Sequence, residues 1–147
     1  MESNKNNNDL AEIPSFSENR MNQQVSIDIV IPVYNEEETL GFLFERLNDV
    51  FSSSNREKHQ IKTVRYILID DGSSDKSSEI ICGYIKKGIS AVLYRFSRNF
   101  GHQNAVSAGL ENAEADVVAV IDADLQDPPE VILQMLEKWR EGFDVVY

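Results

Sequence analysis

From Val25 onward the apolar residues follow two alternating patterns. Short β-rich runs (V-S-I-D-I-V-I-P-V-Y from Val25, V-R-Y-I-L-I from Val64, Ile89 to Tyr94, and V-V-A-V-I from Val117) read as strands. Between them, apolar residues recur at helical spacing. Leu40, Leu43, Phe44, Leu47, Val50 and Phe51 form one such stripe, with Glu36, Glu37 and Glu38 in the helix's first turn. Ile80, Ile81, Tyr84 and Ile85 form the next, capped by Asp75 or Ser74 and stopped at Gly88. Gln103 to Ala113 predicts a helix whose Ala105, Ala108, Gly109 and Ala113 let it lie close to a sheet. The last helix spans Pro128 to Arg140, with Asp127 as N-cap, Pro128 in the first helical position and Glu130 as capping-box acid. Ser52 to Lys62 reads as a polar connection. Val117 to Ile121 reads as a strand buried on both faces and Phe143 to Tyr147 as a fifth strand, whose exposed edge would favour self-association into a homo-oligomer.

Alternation of strand and helix predicts an α/β fold, a mostly parallel sheet with helices on both faces and right-handed crossovers. One domain, residues 25–147, is expected, preceded by a disordered polar tail at 1–24 that is rich in Asn, Ser and Glu and has no apolar period.

Charge and cysteine content narrow the function. Against 14 Lys plus Arg stand 25 Asp plus Glu, a net charge of -11, which argues against a nucleic-acid partner. A phosphate ligand would therefore need a metal ion or a local basic patch. A single cysteine, Cys82, excludes an internal disulfide and fits a reducing, cytoplasmic compartment; its I-I-C-G-Y setting predicts a buried, structural thiol. No apolar run has the length of a membrane span, and the first residues lack a signal peptide's apolar core.

Each predicted strand ends in polar residues: Y-N-E after the first, D-D-G-S-S-D after the second, R-F-S-R-N-F-G-H after the third, and D-A-D-L-Q-D after the fourth. In a parallel sheet these clusters meet at one edge, where open α/β sheets bind ligands. Asp122 and Asp124 are two apart, so in extended chain both carboxylates point the same way and can share a hard cation with a ligand's phosphates. A nucleoside diphosphate sugar matches the set. Tyr34 offers a ring to the base, Asp71 an acceptor for a base N–H, and Gly72 a close turn of the chain. Arg98 and His102 sit where they can meet phosphate oxygens. Each also has a plainer reading: Tyr34 and Asp70 as satisfied strand-end residues, Gly72 as an ordinary turn glycine, Arg98 as a solvated charge, and His102 as a residue without a ligand.

P-V-Y-N-E at Pro32 to Glu36, D-D-G-S at Asp70 to Ser73, R-N-F-G-H-Q at Arg98 to Gln103 and D-A-D-L-Q-D-P-P-E at Asp122 to Glu130 resemble the family 2 glycosyltransferases. Within them the likeness is to polyprenyl-phosphate sugar transferases, the dolichyl-phosphate mannose synthases and bactoprenol glucosyltransferases. The resemblance covers about Ile27 to Tyr147. It implies a GT-A fold and inverting transfer of a hexose from a UDP- or GDP-sugar to a lipid phosphate at the cytoplasmic membrane face. It further implies nucleoside contacts from Pro32, Tyr34, Glu36 and Asp71, ribose or metal contact from Asp122, Mg²⁺ or Mn²⁺ on Asp124, and Gln126 near the metal and the acceptor phosphate. Such relatives continue into an acceptor-binding half and often membrane-spanning helices, which would supply the membrane contact. A chain stopping at Tyr147 is therefore expected to be a fragment, and the alternative reading is a nucleotide-binding module without turnover because the acceptor half is missing. A haloacid-dehalogenase-like phosphohydrolase also carries D-x-D after a strand, but Leu125-Gln126 does not continue its motif. A Rossmann dehydrogenase would need G-x-G-x-x-G after a strand, and none is present.

Overall fold

The computed structural model describes residues 20–147. Its elements are β1 (Val25–Val33), α1 (Leu40–Val50), α2 (Ser53–Lys58), β2 (Ile61–Asp70), α3 (Ser77–Lys86), β3 (Ala91–Arg95), α4 (His102–Glu111), β4 (Val117–Val120) and α5 (Val131–Arg140). The strands form one four-stranded sheet in the order β3-β2-β1-β4. Every pairing is parallel, with Val30 opposite both Ile67 and Val120, and Leu68 opposite Leu93.

Strand pleating divides the sheet's apolar residues between two layers. Ile27, Ile29, Ile31 and Val33 of β1, with Tyr66 and Leu68 of β2, face the stripes of α1, α3 and α5, and this is the main core. Leu40, Leu43 and Leu47 are fully buried in it. Full burial of such a side chain stabilises the fold by about 1.5–3 kcal/mol. The intervening residues Val30, Ile67 and Ile69 face the opposite way and pack with Ala105 of α4. A methyl group on Gly109 would stand 3.1 Å from Val30 Cγ2 and closer still to Cγ1, so this helix does use its small residues to approach the sheet.

Asp28 is the polar exception in the central strand. Buried to 2% exposure, it accepts Arg65 Nε at 2.9 Å and Nη2 at 2.6 Å, and the Glu114 and Ala115 amides at 2.8 and 3.1 Å. Burial pushes its carboxyl up, but the Arg65 hydrogen bond and the two amides prevail and hold it below the ordinary 3.8.

Several expectations change. β4 is not buried on both faces: it is an edge strand with Val118 and Val120 exposed to 38% and 43%, and among the described residues no helix covers the face they occupy. Residues 143–147 form no strand, so the expected fifth edge, and self-association through it, are absent from the described residues. Cys82 is exposed rather than buried, because the stripe of α3 turns inward through Ile81 instead. The polar connection contains α2, and Glu37, Glu38 and Thr39 form a turn before α1 rather than its first turn. α5 begins at Val131 and no side chain caps it. Pro129 removes an amide that a capping carboxylate at Asp127 would accept, and the carbonyls of Pro128 and Pro129 instead receive Val131 and Ile132 N–H at 3.0 and 3.1 Å. Glu130 pairs with Arg46 Nε at 2.5 Å.

The disordered tail expected at 1–24 falls mostly outside the described residues. Within them, Arg140 of α5 donates to the carbonyls of Arg20 and Gln23 at 2.5 and 2.9 Å and to that of His59 at 3.1 Å. No helix among the described residues is long and apolar enough to cross a membrane.

Candidate functional site

Parallel pairing brings the carboxyl ends of all four strands to one edge, and a cleft of about 240 Å³ opens there. Pro32, Tyr34 and Glu36 line it from the end of β1, Asp71 from β2, Asn99 and His102 from the loop and helix after β3, and Asp122, Ala123 and Asp124 from the end of β4.

The β1 and β2 loops are joined by reciprocal hydrogen bonds. Asn35 N–H donates to Ser73 Oγ (2.9 Å), Glu36 N–H to Ser77 Oγ (2.8 Å) and Glu37 N–H to Asp75 Oδ2 (3.0 Å). In return Ser74 N–H donates to Asn35 Oδ1 (2.8 Å) and Lys76 N–H to Glu37 Oε2 (2.9 Å). Asn35 adopts φ 55°, a conformation Asn tolerates, which aims its side chain at the second loop. Asp75 also accepts Ser77 N–H at 2.9 Å where α3 opens. Burial raises its carboxyl, yet the Ser77 bonds and the Glu37 amide outweigh that and hold it below 3.8. Tyr34, which is 48% exposed and lines the cleft, is thus carried on a braced loop.

The paired acids at the end of β2 are both buried and committed. Asp70 accepts Ser73 N–H at 2.8 Å and the Ser78 hydroxyl, and forms an ion pair with Arg95 Nε at 3.3 Å. Asp71 accepts Phe100 N–H at 2.7 Å and Gly101 N–H at 2.9 Å, fixing the entry to α4 while one edge of it still lines the cleft. Gly72 permits that approach: its φ is 74°, and a Cβ there would lie 2.7 Å from Asn99 N and 2.8 Å from Arg98 Cα.

At the end of β4, Asp122 and Asp124 are exposed and share the cleft. Leu125, at φ 60°, turns the chain so that Gln126 N–H donates to Asp124 Oδ1 at 3.0 Å. His102 Nε2 lies 3.7 Å from Asp122 Oδ1. Among the described residues no three or more His, Cys, Asp or Glu gather as a self-contained metal cage.

Of the residues singled out in the sequence, Pro32, Tyr34, Glu36, Asp71, His102, Asp122 and Asp124 therefore share one cleft. Gly72, Arg98 and Gln126 do not line it. Gly72 shapes the loop contact, Gln126 orients Asp124 through its backbone, and the Arg98 guanidinium lies over the Phe100 ring at 4.4 Å. Asn99 lines the cleft and was not singled out, although it stands inside the R-N-F-G run.

Comparison with known proteins agrees with this architecture. Residues 28–147 match the model of Glycosyl transferase family 2. The chain is 42% identical over 127 residues to the uncharacterized glycosyltransferase YkcC of Bacillus subtilis (strain 168), covering 86% of this chain and 38% of that protein. It is 43% identical over 124 residues to the undecaprenyl-phosphate 4-deoxy-4-formamido-L-arabinose transferase of Pectobacterium carotovorum, covering 82% of this chain and 36% of that protein. To the bactoprenol glucosyl transferase of Shigella phage SfV it is 40% identical over 124 residues, covering 83% and 38%. The chain thus spans well under half the length of these relatives. Among solved structures, the mannosyltransferase PcManGT of Pyrobaculum calidifontis, in complex with GDP-Man and Mn²⁺, superposes with a TM-score of 0.65 at 16% identity over 85% of this chain and 34% of that one. S. aureus TarS in complex with UDP-GlcNAc gives 0.56 at 21% identity over 67% and 26%. The fold is that of the GT-A glycosyltransferases, the phosphohydrolase and dehydrogenase readings are set aside, and the chain belongs to glycosyl transferase family 2.

Proposed function

We propose that this cleft binds the nucleoside diphosphate portion of a UDP- or GDP-sugar together with Mg²⁺ or Mn²⁺. The corresponding full-length activity is inverting transfer of the hexose to a polyprenyl phosphate at the cytoplasmic face of a membrane. The observation that carries the reading is the pair Asp122 and Asp124 sharing one cleft, at the carboxyl edge of the sheet, with Tyr34 and Asp71.

The donor set fits a hard dication. Two carboxylates without a third protein ligand suit an ion that completes its shell with phosphate oxygens and water, as Mg²⁺ and Mn²⁺ do in nucleotide sites. Asp124 would be the principal ligand, with Asp122 on the metal or the ribose. Bound there, the ion would neutralise charge on the departing diphosphate. Tyr34 and Pro32 would present apolar surface to the base, and Glu36 would accept from the nucleoside. Asp71 retains lone pairs beyond its two amide bonds, so a base N–H can still be read by an acid held rigid at its site. Gln126 would stand beside the metal and the acceptor phosphate. A phosphate acceptor is ionised near neutral pH and needs no general base to attack, so direct displacement with inversion is the simplest chemistry. The names of the relatives, which act on undecaprenyl phosphate or bactoprenol, support the acceptor class.

Calorimetric titration with UDP and GDP, each with Mn²⁺ and with chelator, tests the donor site. Metal-dependent binding of one nucleotide, lost in Asp124→Ala, is expected. Absence of binding to either by the folded chain would refute it.

A further inference from the structure

We infer that His102 is a ligand-binding residue of this cleft, donating its ring N–H to the diphosphate of the bound nucleotide. The inference rests on the donor-site reading above and assigns a residue to its phosphate end.

The argument begins with charge. Glu36, Asp71, Asp122 and Asp124 all line the cleft, so a diphosphate entering it adds anion to anion. A metal on the Asp122–Asp124 side can offset part of this, but phosphate oxygens turned away from the ion still require donors. Neither nearby arginine lines the cleft: Arg95 pairs with Asp70 at 3.3 Å and donates to the Ser73 carbonyl at 3.1 Å, and the Arg98 guanidinium lies over Phe100. Of the amides at the entry to α4, those of Phe100 and Gly101 are held by Asp71. Among the side chains that line the cleft, the N–H donors are the Asn99 amide and the His102 ring.

Of these two, His102 is placed beside the acids of β4. Its Nε2 lies 3.7 Å from Asp122 Oδ1, too far for a hydrogen bond, and the side chain is 59% exposed. The ring makes no side-chain hydrogen bond among the described residues, so its donor is available. A diphosphate held through a cation on Asp124 and Asp122 would be brought near that ring. As the first residue of α4, His102 sits on a backbone fixed by the Asp71 clamp, so little ordering is needed on binding.

The test compares UDP with UMP, and GDP with GMP, by calorimetry in Mn²⁺, using the wild-type chain, His102→Ala and His102→Gln. Removing one partly exposed hydrogen bond to a charged group should weaken diphosphate binding roughly tenfold. Monophosphate binding should change much less, and the Gln variant, which keeps an N–H donor, should recover part of the loss. A general distortion of the cleft would instead weaken both classes of nucleotide equally, and that result would overturn the inference. So would an unchanged diphosphate affinity in His102→Ala while the wild type binds. If the folded wild-type chain binds no nucleotide, the donor-site reading and this inference fall together. Because the side chain is exposed, all three chains should melt at similar temperatures.

Discussion

Replacing Gly72 by alanine isolates the contact on which the shape of the cleft depends. Two costs apply at this position and can be separated with other glycines of the same chain. A φ of 74° is open to glycine but costs an L-residue about 1–2 kcal/mol. A Cβ would also stand 2.7 Å from Asn99 N and 2.8 Å from Arg98 Cα, well inside the roughly 3.5–4 Å at which such atoms rest. Backbone cannot rotate aside as a side-chain tip can, so the loop must move, at the roughly 1–3 kcal/mol typical of overpacking. Gly88→Ala carries only the first cost, since its φ is 97° but nothing lies within 4 Å. Gly83→Ala, inside α3 with open space around it, carries neither and should gain a little from helix propensity. Thermal unfolding should therefore rank Gly83→Ala above Gly88→Ala above Gly72→Ala, the last about 10 °C or more below wild type. Only Gly72→Ala should also lose nucleotide affinity, because the displaced loop carries Asn99 and the amides that hold Asp71. A Gly72→Ala chain that melts with Gly88→Ala would refute the steric part of this reasoning.

Three further outcomes follow from named contacts. Gly109→Ala should destabilise by about 1–3 kcal/mol in urea unfolding despite alanine's better helix propensity, because Val30 already fills the space between α4 and the sheet. Asp28→Asn should cost about 1–3 kcal/mol, since it leaves the partly exposed Arg65 without its ion pair and one or more part-buried amides without a full partner. As the folded Asp28 carboxyl lies below its unfolded value of 3.8, its stabilisation is complete above that pH and lost as pH falls through the folded value. Urea midpoints measured from neutral pH downward should converge for wild type and variant in that acid window. Asp122→Asn should leave the metal-free melting temperature unchanged or slightly raised, relieving repulsion among exposed acids by a few tenths of a kcal/mol, while reducing the stabilisation that Mn²⁺ with nucleotide gives the wild type.

Much of the architecture is legible in the chain because two periods coexist without conflict. β1 is nearly all apolar since α1 and α4 cover opposite faces of it, and the stripe from Leu40 to Phe51 is the one that α1 buries. The same reasoning over-reads β4. Val117 to Ile121 is as apolar as a central strand, yet sheet order puts it at an edge, and order depends on crossovers between elements far apart in sequence. Cys82 fails for a smaller reason. Helical spacing fixes which residues share a face to within about one position, and the buried centre of α3 falls on Ile81.

At the cleft, strand order and period place residues at the correct edge but leave open how each side chain is already bonded. Asp70 and Asp71 show why. Adjacent residues at a strand end point to opposite sides of the sheet. Asp70 therefore lies on the side where α3 begins and bonds the Ser73 amide and the Ser78 hydroxyl, while Asp71 lies on the side of α4 and bonds the amides that lead into it. Each acid holds one loop in place, and only Asp71 retains an edge on the cleft. The two basic residues nearby divide in the same way. Arg98 has an aromatic ring within reach and lies over it, whereas the shorter His102, fixed at the start of a helix, faces Asp122. Spacing along the chain cannot distinguish the two, because what separates them is the partner supplied by another part of the loop. A cleft rich in acids and poor in uncommitted donors results, and its affinity for a phosphate ligand should depend on the cation that accompanies it.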